Sequence, residues 1–223
     1  MKILLVITNV SKTPKSGLET GFHFAEFSHA YEFFLAHGYE VTIGSPLGGS
    51  CTITSDYPGD KINAEFKENP KRMELLSHTT ALNRLIDEAF DAVYVAGGHG
   101  AMFDLANNIE LEGIINTTAE RGGVIASVCH GPASLIGLKD RTGNYFVKGK
   151  HLTSFTNDEE KGTPFFNDMP FLLQSKLEEQ GALFGKSEKR QPRLVIDGNL
   201  ITGQNPESIE LVVGAIYTKL SAK

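Results

Sequence analysis

Tryptophan is absent from this sequence of 223 residues, and cysteine occurs only twice, at Cys51 and Cys129. Two cysteines cannot build a disulfide framework, so stability must come from a packed core, and a reducing cytoplasm is the expected setting. Basic charge is in the minority. There are 21 Lys and Arg against 27 Asp and Glu, a formal net charge of −6. The densest basic cluster, Lys186-Ser-Glu-Lys-Arg190, contains its own glutamate and reads as a solvated loop. Nucleic acid therefore has no electrostatic footprint to bind. No apolar run is long enough to span a membrane. The opening Met1–Thr8 passes straight into a polar loop, as a first strand does and a signal peptide does not. Glycine never takes the dinucleotide or P-loop spacing, which excludes phosphate cofactors.

What is present is a 40% hydrophobic chain, enough core for a single domain spanning residues 1–223. Strand and helix signals alternate, which predicts an α/β fold on a mainly parallel central sheet. Strands are expected at Ile3–Thr8, Glu40–Ser45, Ala92–Ala96 and Val124–Val128, with a closing hairpin of Leu194–Ile196 and Leu200–Thr202 around Asp197-Gly-Asn. Helices are expected at Phe22–His37, Lys71–Glu88, Ile109–Glu120, Ala133–Leu138, Phe165–Gln180 and Glu207–Leu220. Leu47–Pro70 reads as a long surface segment, and Tyr145–Val147 with His151–Thr153 as a second hairpin. Ligands of such a sheet sit outside the carboxyl ends of its strands.

The stretch Gly122-Gly-Val-Ile-Ala-Ser-Val-Cys-His-Gly-Pro132 carries the strongest chemical signal. A buried apolar strand ends in a thiol at the mouth of a helix, with Gly131 for a tight turn and Pro132 for the first helical turn. This is the pattern of a nucleophile elbow with sulfur in place of the serine oxygen. A helix N-terminus there would favour thiolate over thiol. The alternative is a buried cysteine acting as a small hydrophobe.

Glu26 lies next to the apolar stripe of its helix. Exposure is the commoner fate of a glutamate, so a solvent-facing side chain is expected. If buried near Cys129 instead, it would stay protonated and donate a hydrogen bond to sulfur. Gly97-Gly-His-Gly100 follows the third strand, either as a flexible turn or with the Gly98 and His99 N–H groups facing an oxyanion. His130 needs an acid to orient it, and Asp158, Glu159 and Glu160 are candidates. Cys51 reads as a bystander. A zinc site from Glu26, Cys129 and a histidine lacks metal-ligand spacing, so no metal is expected.

Six segments together resemble the ThiJ/PfpI superfamily, of class I glutamine-amidotransferase-like fold, and within it the glyoxalase III–like heat-shock chaperone branch. They are Thr20–Glu26, Ser45–Gly49, Ala96–Asp104, Val128–Pro132, Phe155–Glu160 and Thr202–Pro206, in family order across nearly the whole chain. The resemblance implies a flavodoxin-like three-layer sandwich with a nucleophile elbow. It implies Cys129 as nucleophile, His130 as its triad neighbour, Glu26 as the acid contacting sulfur, and Glu160 as the triad acid. It further implies a cofactor-free, cytoplasmic homodimer that converts methylglyoxal and related 2-oxoaldehydes to 2-hydroxy acids. It also covers a deglycase or amide hydrolase; a stress chaperone, and a redox sensor in which Cys129 oxidises to sulfinic acid with Glu26 as hydrogen-bond donor, are the other readings. Glutamine amidotransferases carry a histidine beside the C-terminal acid. Here Asn205-Pro-Glu207 has none, so glutaminase activity is not expected. The longer members of the branch carry an extra N-terminal segment that this sequence does not contain.

Overall fold

The computed structural model describes residues 1–57 and 59–222. Seven strands form the central sheet: β1 Lys2–Val6, β2 Glu40–Ser45, β3 Thr80–Ala81, β4 Ala92–Val95, β5 Val124–Val128, β6 Leu194–Asp197 and β7 Leu200–Gly203. Their spatial order is β6-β7-β5-β4-β1-β2-β3. Every pairing is parallel except β6–β7, the hairpin turned at Gly198. With the two-residue β3 edge set aside, β2-β1-β4-β5-β7 is the flavodoxin-like order, and the direction of winding reverses at the β1/β4 pair.

Period-2 alternation divides the core. Ile3 and Leu5 of β1, with Tyr94 and Ala126, face helices Phe24–Ala36 and Ile209–Ser221. Leu4 and Val6, with Val93, Val95 and Ile125, face helix Ile109–Glu120 and the short helix Leu173–Glu179. Strands buried on both faces read as unbroken apolar runs, which is why β1, β4 and β5 lie where the sequence puts them.

Several expected elements differ. Only Phe24–Ala36 of the first helix is helical, because Phe22–His23 pairs with Ile53–Thr54 and His23 caps the helix through its ring nitrogen. The expected helix Lys71–Glu88 stops at Leu75. The run Ser77-His-Thr-Thr80 favours extended backbone, and Thr80 pairs with Gly44 on the sheet edge. Leu47–Pro70 contains a helix, Lys61–Glu68, capped by Asp60; Pro58 lies outside the described residues. Tyr145–Val147 makes no hairpin, and His151–Leu152 pairs in parallel with Leu183–Phe184 instead. The helix expected over Phe165–Gln180 is confined to Leu173–Glu179, since Pro170 lacks the N–H a helix interior requires. Past Cys129 the chain makes one 3-10 turn, Gly131–Leu135, where the α-helix Ala133–Leu138 is expected. No helix among the described residues is long and apolar enough to cross a membrane.

Candidate active site

Three carboxyl-edge connections converge beside the β1/β4 reversal. The helix after β1 supplies Glu26, the turn after β4 supplies Gly97–His99, and the turn after β5 supplies Cys129 and His130.

Cys129 has φ +58, left-handed backbone that costs a non-glycine residue about 1–3 kcal/mol. Two hydrogen bonds hold it there: its N–H donates to the Gly203 carbonyl at 3.0 Å, and its carbonyl accepts from the Phe155 N–H at 2.8 Å. A Cβ on Gly131 would lie 2.3 Å from the Val95 carbonyl oxygen, so only glycine lets the chain turn this tightly against β4. The geometry is a nucleophile elbow. The helix-dipole expectation fails, because one 3-10 turn has too few aligned peptides to act as a helix end. Burial, above all, pushes the Cys129 thiol well above its ordinary value, so the resting sulfur carries its proton.

His130 lies directly beside that thiol. Its Nδ1 lies 3.5 Å from Cys129 Sγ, and its Nε2 lies 2.6 Å from Glu160 Oε2. Burial opposes ionisation of Glu160, but hydrogen bonds from His130 and His99 outweigh it and hold the group well below the usual carboxylate range. An ionised carboxylate only accepts, so His130 Nε2 carries a hydrogen and donates it to Glu160, which leaves Nδ1 facing sulfur. Of the three candidate acids, Glu160 alone faces His130. Asp158 is half-buried and pairs with Lys186 and Lys161. Glu159 closes a capping box with Thr156 and accepts from Gln204 and Asn205.

Glu26, expected at the surface, is fully buried. Helix Phe24–Ala36 is apolar on most of its circumference and buries Phe24 through Ser28, so its glutamate lies inside the fold against the turn after β4. Oε2 accepts from the Gly97 N–H at 2.5 Å, and a Cβ on Gly97 would lie 2.7 Å from that oxygen. Burial raises Glu26 to about 8, held back by the Gly97 N–H and by interaction with Cys129. At neutral pH it is therefore a carboxylic acid. Its Oε1 has no hydrogen-bond partner among the described residues and is the oxygen free to carry the proton.

Cys129, His130, Gly98 and His99 line one cavity of about 330 Å³, with His23, Tyr57, Phe155 and Asn205 around it and Lys189, Arg190 and Glu207 toward the mouth. The Lys186–Arg190 cluster is thus more than a solvated loop. Neither the Gly98 nor the His99 N–H makes another hydrogen bond among the described residues. Sequence reasoning gave no part to two side chains here. His23, which caps the Glu26 helix, has its Nε2 3.3 Å from Tyr57 Oη; burial, above all, lowers its pKa to about 3. The His99 imidazole reaches Glu160 Oε1 at 3.1 Å, and burial followed by His130 lowers it to about 4. Both lie inside segments that carry the resemblance, and that was the signal available. Cys51 stands apart, against Thr79 and Asn9.

His99, His130 and Glu160 are of metal-ligating type, with ligand atoms within 4.8 Å of one another. Their nitrogens, however, point at the carboxylate oxygens at 2.6 and 3.1 Å, which is a hydrogen-bonded set and not a vacant coordination sphere.

A strained elbow cysteine, facing a histidine–carboxylate pair at the carboxyl edge of a parallel sheet, defines a class of α/β proteins with an addressable thiol. Within that class this chain belongs to the DJ-1/PfpI family, whose sequence profile matches residues 18–218. Glyoxalase 3 of Candida albicans is 32% identical over 220 residues, covering 93% of each chain. The glutathione-independent glyoxalase HSP31 of Saccharomyces cerevisiae is 26% identical over 219 residues, covering 93% of this chain and 92% of the relative. Among solved structures, glyoxalase III from Candida albicans superimposes with a TM-score of 0.88 at 29% identity, over 98% of this chain and 96% of the other. The Rapid Encystment Protein of 24 kDa from Francisella tularensis gives 0.94 at 32% identity, over 98% of both.

Proposed function

We propose that this chain is a glutathione-independent glyoxalase that converts methylglyoxal and related small 2-oxoaldehydes to 2-hydroxy acids, with Cys129 as nucleophile. The observation that carries this reading is the hydrogen-bonded set Cys129–His130–Glu160, whose sulfur and imidazole line the cavity, beside a fully buried carboxylic acid, Glu26, that is protonated at neutral pH. Its relatives along the full length are named for the same activity.

The chemistry follows from where the protons sit. His130 Nδ1 takes the Cys129 proton as sulfur attacks the aldehyde carbon, C1. The carbonyl π electrons go to oxygen, stabilised by the Gly98 and His99 N–H groups and then protonated, giving a hemithioacetal. His130 removes the C1 hydrogen as a proton and passes it to the C2 oxygen, which forms an enediol. Glu26 delivers its proton to C2, and its carboxylate takes back the C1 hydroxyl proton, which leaves a thioester at C1 and a hydroxyl at C2. C1 is oxidised and C2 reduced within one molecule, so no external redox partner is needed. Water then cleaves the thioester, releasing the 2-hydroxy acid and restoring the thiol.

The working unit in this reading is one domain over residues 1–223, assembled as a cytoplasmic homodimer with a protective role in stress; light scattering in solution checks the dimer. The test of function is an NMR assay of methylglyoxal with purified protein, in EDTA and without glutathione. Stoichiometric lactate from the wild type, and none from Cys129→Ala, is the expected result. Substrate loss without lactate would reduce Cys129 to a trapping thiol and overturn the proposal.

A further inference from the structure

We propose that His99 is a positioning residue of this site: its imidazole holds the second oxygen of Glu160 and, through that carboxylate, fixes His130 against Cys129. The inference rests on the reading of Cys129, His130 and Glu160 as the reactive centre.

The buried Glu160 carboxylate accepts three hydrogen bonds. His130 Nε2–H takes Oε2 at 2.6 Å, while His99 Nε2–H at 3.1 Å and Thr163 Oγ1–H at 2.7 Å share Oε1. A terminal carboxylate torsion is broad and roughly two-fold, and the Thr163 hydroxyl can rotate to follow a rocking carboxylate, whereas a ring N–H fixed by packing cannot. Imidazoles on opposite oxygens remove that freedom and set the plane in which His130 must lie.

His99 is itself fixed from both sides. Its ring stacks on Phe165 with centroids 4.2 Å apart and planes 29° apart, and lies 4.2 Å from the His130 ring, which in turn lies 4.5 Å from Phe155. The four aromatic rings form a column with the two imidazoles in the middle. The Phe165 segment is tied from behind: Asp168 accepts from the hydroxyls of Thr13 and Ser16, and Lys15 Nζ donates to the Asn167 carbonyl at 2.7 Å. Asp168 is joined to Phe165 through the backbone, its N–H donating to the Phe165 carbonyl at 2.7 Å; from Phe165 through His99 to Glu160 the contact is between side chains, and it ends on the histidine that faces sulfur. The turn after β4 thus serves both halves of the site, with the Gly97 N–H on Glu26 and the His99 imidazole on Glu160.

The test compares His99→Phe, which keeps a ring in the column and removes the N–H, with His99→Gln, which keeps an N–H donor. Two readouts are taken: steady-state methylglyoxal kinetics, and the rate at which iodoacetamide alkylates the Cys129 peptide across pH, followed by mass spectrometry. In His99→Phe, kcat and the alkylation rate are expected to fall about ten- to a hundredfold, the scale seen when the partner of a functional histidine is removed. KM is expected to stay unchanged, with partial recovery in His99→Gln. Alkylation does not depend on the natural substrate. A wild type that makes no lactate would sink the glyoxalase reading and leave this arm standing. Wild-type alkylation by His99→Phe, or equal losses in both variants, overturns the proposal. If His99→Phe does not fold, Asp168→Asn loosens Phe165 from a distance and is expected to lower kcat without changing KM; wild-type kinetics there would overturn it equally.

Discussion

Replacing Glu26 by glutamine separates what this residue does for the reaction from what it costs the fold. The folded protein holds the Glu26 proton up to about pH 8, whereas an ordinary glutamate gives it up near 4.5. Between those values the folded state binds more protons than the unfolded state, so stability falls as pH rises. Each pH unit in that window costs about 1.4 kcal/mol, so at pH 7 the penalty is about 3 kcal/mol. Glutamine keeps the shape of the neutral acid and does not titrate. Glu26→Gln is therefore expected to match the wild type near pH 4.5 and to exceed it by about 3 kcal/mol at pH 7, or roughly 6–12 °C in melting temperature for a domain of this size. Urea unfolding of both proteins at pH 5 and pH 7 measures the difference, because groups common to both cancel. The same variant is expected to lose turnover, having no acidic proton to deliver. A stability difference that does not change with pH, or a less stable variant at pH 7, would refute the buried protonated acid.

Cys129→Ser is expected to fold with an unchanged melting curve and to make no lactate from methylglyoxal, since a hydroxyl is a poor substitute for a thiol that one imidazole must activate. Glu160→Gln presents an amide N–H to at least one of two imidazole N–H groups; the resulting tautomer fault is expected to lower kcat about 10²- to 10⁴-fold, read by steady-state kinetics. Gly131→Ala puts a Cβ 2.3 Å from the Val95 carbonyl oxygen, against rigid backbone. A loss of about 1–3 kcal/mol in urea unfolding is expected, together with lower activity as the elbow shifts.

The sheet was legible because its inner strands are continuous apolar runs, and Val124–Val128 announced both its burial and the thiol at its end. Partners set by a short parallel pairing were not legible. His151–Leu152 looked like half of a hairpin with residues 145–147, yet its neighbour is Leu183–Phe184, about thirty residues on. A threonine-rich edge such as Thr79–Thr80 sits inside a helical pattern until a neighbouring strand claims it. At the site, Cys129 and His130 stood out by type and order, whereas the residues alone left Asp158, Glu159 and Glu160 open and only the family resemblance pointed to Glu160. The burial of Glu26 was not legible, because it depends on which side of an almost wholly apolar helix meets the turn after β4. The His99 side chain was hidden for a related reason. Its glycine neighbours drew attention to backbone N–H groups, while its contact with Glu160 joins residues 61 positions apart.

The most direct test of the account is whether Cys129 carries the substrate. Wild-type protein turning over methylglyoxal would be acid-quenched, digested and examined by mass spectrometry. The prediction is a substrate-derived acyl group on the Cys129 peptide, which disappears when substrate is exhausted and never forms in Cys129→Ala. Lactate produced at the wild-type rate by Cys129→Ala, with no adduct on Cys129 in the wild type, would contradict it.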